Sequence, residues 1–94
     1  MVWIKSLENN YVNAENVISI TFDEISNSFV AVVGYRDIRL QHPIYQNKAL
    51  DNVLQGIAPK SENEIIEQMI ELIESAKHEK YKHILDFQVL LDNF

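Results

Sequence analysis

The chain has no cysteine, which removes disulfides, thiol nucleophiles, zinc ribbons and iron–sulfur sites together and fits a reducing compartment. Glycine and proline occur only twice each, too rarely for a flexible linker or a collagen-like block, and there is no internal repeat. Basic residues are also few. Eight Lys and Arg against fourteen Asp and Glu leave a formal charge of -6. Broad binding to DNA, RNA or anionic lipid draws on clustered cations, so neither a nucleic-acid partner nor a membrane is expected. No apolar run approaches the length of a membrane span, and the N-terminus lacks the basic region and long apolar core of a signal peptide. The expectation is a soluble protein of the cytoplasm.

Chemical motifs are equally sparse. There is no Gly-x-Ser-x-Gly elbow, phosphate loop, dinucleotide fingerprint or His-Glu-x-x-His, and no residue stands out as nucleophile or base. The chain is therefore not expected to be an enzyme or to carry a cofactor. The three imidazoles are His42, His78 and His83. On a continuous helix the five-residue spacing of the last two puts them on different faces, so no metal site is expected. Glu74 with His78 and Glu79 with His83 read as helix-surface pairs.

What is present is a core. Ninety-four residues with 47% apolar and 10% aromatic side chains suffice for one domain without metal or cross-links. The fold class is α+β: an N-terminal antiparallel sheet of four to five strands in meander order over residues 1–42, a short helix over 46–58, and a long helical segment over 61–94. Alternation puts Trp3 and Lys5 on one side of the first strand and Val2 and Ile4 on the other. Asn9-Asn10 suits the positive φ of a hairpin turn, and Asn13–Asn16 a turn or half a helical turn. Ile18, Ile20 and Phe22 share one face of the next strand. Phe29–Val33 does not alternate, so both its faces need cover: the helical layer on one, and a further element or a second copy of the protein on the other. Ile38–Gln41 alternates with Arg39 and Gln41 outward, and Pro43 is expected to end that strand.

Leu50, Val53, Leu54 and Ile57 recur at helical spacing before Gly56 and Pro59 stop the helix. Ser61 and Glu64 form a capping box, and Ile65, Ile66, Met69, Ile70, Leu72 and Ile73 give the next helix a broad apolar face. A single helix from Ser61 to Phe94 would be about 51 Å long, against roughly 30 to 35 Å for a domain of this size. It must break or project onto a partner. Residues 84–91 fit a helical face and strand alternation equally well.

The densest polar and aromatic cluster is Tyr35, Arg36, Arg39, Gln41, His42 and Tyr45, which holds the chain's only two arginines. Gathered at one sheet end, these would offer guanidinium forks for phosphate and aromatic faces for a base. The plainer reading is a strand edge protected by charge, with the tyrosines half buried.

Trp3-Ile4 followed by Tyr11-Val12-Asn13-Ala14-Glu15-Asn16-Val17-Ile18-Ser19-Ile20 resembles small bacterial and phage proteins in which an aromatic-Val-Asn turn leads into an apolar strand. Flagellar FlbD-like proteins share it loosely but are shorter and lack a counterpart of Ser61–Phe94. The whole plan, sheet then helices, resembles the phage Thoeris anti-defence proteins, although none of their pocket motifs aligns residue by residue. That resemblance implies a homodimer or higher homo-oligomer that sequesters a nucleotide-derived signal of the cyclic ADP-ribose type in the host cytoplasm. The alternative it leaves open is a small protein-interaction module, FlbD-like or an acidic inhibitor, with no small-molecule ligand.

Overall fold

Among the described residues two asparagines adopt the left-handed backbone conformation, Asn9 with φ 63° and Asn27 with φ 54°, which their short polar side chains tolerate better than most. Each lies in a hairpin turn. The first joins β1 (Trp3–Lys5) to β2 (Tyr11–Asn13), as the Asn pair predicts. Ser6 pins that turn: its hydroxyl donates to Asn10 Oδ1 and accepts from the backbone N–H groups of Glu8 and Asn10 at 3.1 and 3.3 Å. The second joins β3 (Val17–Asp23) to β4 (Ser28–Tyr35), where Asp23 accepts from the Ile25 N–H at 3.0 Å and the Ser26 hydroxyl at 2.9 Å. The computed structural model describes residues 1–35, 37–46, 61–79 and 83–92. The helix expected over 46–58 lies outside them except for Gln46, which ends β5 (Ile38–Gln46).

The fold is α+β, and the described residues form two three-stranded sheets rather than one. Strands β3, β4 and β5 form the expected antiparallel meander. Strands β1 and β2 stand apart because a 3-10 turn at Ala14–Asn16, capped by Asn13 accepting from the Glu15 N–H, redirects the chain before β3. Their third neighbour is β6 (Ile84–Leu85), which runs parallel to β1.

Bulges move two features from their expected places. Between Val17 and Ser19 the register with β4 slips, so Ile18 leaves the inner face and is exposed while Val17, Ile20 and Phe22 pack inward. Gly34 makes room for it, since a Cβ there would come within 3.4 Å of the Ile18 side chain. The second slip lies opposite Phe29 and Val30, whose partners are Tyr45 and Pro43. Pro43 therefore does not end the strand. It sits at a bulge on a sheet-edge strand, where a missing N–H is tolerated, and its carbonyl accepts from Leu7 N–H at 2.8 Å. The extra residue lets Ile44 and Tyr45 both be buried.

Helix α1 (Glu62–His78) begins at Ser61, whose hydroxyl accepts from the Glu64 N–H at 3.2 Å. Glu62 and Glu64 lie in its first turn and Lys77 and His78 in its last, complementing the helix dipole. Its buried face is Ile65, Met69, Ile73 and Ala76, with Ile66 and Leu72 half buried. Ile70, expected inside, is exposed. The helix does break as its length requires: Glu79 caps it in extended conformation. Residues 84–91 then use both open alternatives in turn, strand β6 followed by α2 (Phe87–Leu90), a single turn capped by Asp86.

One core joins these layers. Ile4, Val12 and Leu85 from the small sheet meet Phe29, Ala31, Ile44 and Tyr45 from the large one, with Met69 and Ile73 of α1 and Phe87 of α2. On the opposite face of β4, Val30 is only 6% exposed. Its cross-strand neighbours Thr21 and Pro43 flank it, and the Leu7 turn is tied to Pro43 beside it. The chain thus shelters Val30 itself, and the two-sided apolar strand does not require a second copy.

Candidate functional site

The register of β4 with β5 separates the residues expected to form one ligand site. Paired residues share a sheet face, so Arg39 (opposite Gly34) and Gln41 (opposite Val32) lie on the outer face, while His42 (opposite Ala31) and Tyr45 (opposite Phe29) lie on the core face. Tyr45 is 5% exposed, its ring 5.8 Å from that of Phe29. Six residues of strand place it roughly 20 Å from Arg39. The backbone of Tyr35 pairs with Ile38 at the Arg39 end, and Arg36 lies outside the described residues. Arg39 and Gln41 are exposed together, whereas His42 and Tyr45 are not beside them. The Nδ1 of His42 is buried with no hydrogen-bond partner among the described residues.

The outer face holds a shallow groove of about 410 Å³ that includes Gln41, Val30, Pro43, Ser28, Asp23 and Glu8. Two carboxylates on its wall oppose the anionic ligand that the arginines suggested. A second groove, about 530 Å³, lies at the end of α1 and brings His78 and His83 to one place with Glu15, Lys77 and Glu79. The helix break causes this, since the two histidines no longer belong to one helix. Among the described residues no three His, Asp or Glu side chains gather as a metal site.

The most distinctive surface is the outer face of the small sheet. In β1 and β2, Trp3 pairs with Asn13 and Lys5 with Tyr11, while Ile84 of β6 flanks Trp3 on the other side. All five side chains therefore project away from Ile4, Val12 and Leu85, which are buried beneath. Trp3 is 37% exposed, Tyr11 53% and Ile84 59%, and the three line a cleft of about 290 Å³. Backbone hydrogen bonds tie the framework under it. Trp3 N–H donates to the His83 carbonyl at 2.7 Å and Ala14 N–H to the Val2 carbonyl at 2.9 Å. Lys5, in the row beside Trp3, stands 3.9 Å from Asp86.

No family model, curated protein or solved structure matches the chain. What it can bind must follow from its own surface chemistry. Here that chemistry is an indole, a phenol ring and an aliphatic side chain held open on a sheet buried from beneath, with the Lys5 cation at the margin. Alternation along β1 marks Trp3 and Lys5 as outward. Tyr11 joins them once the Asn9-Asn10 turn sets the register, and this was the signal available in the sequence. Ile84 arrives by a parallel pairing between the two ends of the chain, which no local pattern announces.

Proposed function

We propose that the protein is a non-enzymatic interaction module that engages a protein or peptide partner through the Trp3–Tyr11–Ile84 face. The observation that supports this reading is the cleft itself. Large aromatic side chains are usually drawn into a core, and here two are left open beside an exposed isoleucine although the core lies directly beneath the same strands. Aromatic residues with an apolar body and one polar tip are the typical anchors of interaction surfaces. A cleft of about 290 Å³ suits one or two inserted side chains of a partner.

Trp3 is the only tryptophan, so its emission reports occupancy of this face directly. Peptides selected from a random library on the wild-type protein should shift that emission. They should lose about tenfold or more in affinity for Tyr11→Ala, as expected for an interface anchor. Selected binders that leave the emission unchanged and bind Tyr11→Ala equally well would refute the assignment.

A second reading, sequestration of a nucleotide-derived signal, retains one favourable observation: Lys5 stands in the same row as Tyr11, so a base on the rings would have a cation nearby. Calorimetry with cyclic ADP-ribose isomers and cyclic dinucleotides separates the two readings. Binding lost in Lys5→Ala would favour this one, and silence would leave the peptide reading.

A further inference from the structure

The turn between β3 and β4 carries Ile25 at 98% exposure, an unusual place for an isoleucine on a loop whose shape is fixed. Asp23 holds the Ile25 N–H and the Ser26 hydroxyl, and the Gln46 amide donates to the Ser26 and Asn27 carbonyls at 3.3 and 2.9 Å. The side chain is thus presented rather than loosely displayed. At the other end of β3, Ala14, Val17, Ile18, Ile70 and Ile73 line an apolar groove of about 200 Å³ with Lys77 and Glu74 on its rim. Between this knob and this groove runs β3, seven residues long and the edge of its sheet. Among the described residues no backbone group pairs with its outer side. It also lacks the Lys or Pro that commonly guards an exposed edge.

We propose that two copies of the chain pair antiparallel along β3, with a two-fold axis at Thr21, so that each Ile25 enters the groove of the other copy. In this register Ile20 meets the partner's Phe22 on the inner face and Ser19 meets the partner's Asp23 on the outer face, which preserves the facing of both sheets. Past Ser19 the bulge bends the strand, and the loop of the other copy arrives over Val17 and Ile18. Glu24 of one copy then approaches Lys77 of the other, at both ends of the interface. The arrangement is self-complementary, as a two-fold contact must be. It unites three separate observations: an exposed apolar knob, an apolar groove of matching character, and an open edge strand with Glu24 just past one end and Lys77, 3.4 Å from Glu74, near the other. No residue of the aromatic cleft belongs to β3 or to the groove that receives Ile25, so each dimer presents that face twice.

The absence of cysteine makes the test clean. Sedimentation equilibrium up to millimolar concentration should show a monomer–dimer equilibrium. Ile25→Ser should weaken it by about tenfold or more, the worth of one well-buried aliphatic side chain, with an unchanged circular dichroism spectrum because Ile25 is so exposed in the single chain. Glu24→Lys and Lys77→Glu should each weaken association, and the two together should restore it. Under mild oxidation Thr21→Cys should cross-link much faster than Glu15→Cys, since residues meeting on the axis bring their Cβ atoms within disulfide reach. A chain that stays monomeric at millimolar concentration overturns the proposal. So does a dimer indifferent to Ile25→Ser, or equal cross-linking rates for the two cysteine variants.

Discussion

His42 points its ring at the core side of the large sheet and leaves Nδ1 buried without a partner among the described residues. Such an orphaned group costs about 1 to 3 kcal/mol. Replacing it by an apolar side chain of similar size, His42→Leu, should therefore raise stability by about 1 kcal/mol, read as a higher urea midpoint with unchanged slope. The strand that carries it also shows why Arg39 and Tyr45, expected together, lie on different faces. Strict alternation from Arg39 would carry Gln41, Pro43 and Tyr45 to one face, and the inserted residue at Ile44 turns Tyr45 over into the core. Bulges arise where two sheets and a helix compete for the same apolar residues, and nothing in the local spacing announces them. Asn9 and Asn27 belong to the opposite case, because a left-handed turn is a local demand met by a local residue.

At the scale of elements, α1 was the most legible part of the chain. Its start is written in Ser61 and Glu64 and its polarity in the order of acids and bases, all within a few residues of one another. Ser61→Ala should cost about 1 kcal/mol, the usual worth of an N-cap hydroxyl, and Ser61→Asp should be close to neutral, both measurable by urea titration. Its inward face was readable only approximately. Ile65 and Ala76 are buried while Ile70 is exposed, because the helix rests on two sheets whose relative placement no helical periodicity contains. The residues after Glu79 were legible only as a pair of alternatives. Ile84 and Leu85 become strand because β1 has a free side to offer them, and Asp86 then caps a new turn by accepting from the Gln88 and Val89 N–H groups.

At the scale of the whole molecule, the C-terminal residues close the core rather than decorate it. Leu85, Phe87 and Leu91 are all buried, and His83 supplies the carbonyl that receives the Trp3 N–H. A chain ended after Glu79 loses all of these. The lost burial of three large side chains, about 7 to 15 kcal/mol, is as large as the roughly 5 to 15 kcal/mol by which a domain is stable, and circular dichroism should show it unfolded. The α+β class and the meander of β3, β4 and β5 could be read in advance, since each strand follows the last across a turn. The division into two sheets could not, because it depends on where the far end of the chain returns.

The parallel pairing of Trp3 with Ile84 and Ile4 with Leu85 also orders events in time. During synthesis the three-stranded meander has all its partners long before the small sheet does, and it can form as soon as it clears the ribosome. Strand β1 must wait with Ile4 and Trp3 uncovered until Ile84 and Leu85 emerge, some eighty residues later. Contacts between such distant positions are slow to close, and an apolar strand left waiting is a part of a nascent chain exposed to chaperones and to aggregation.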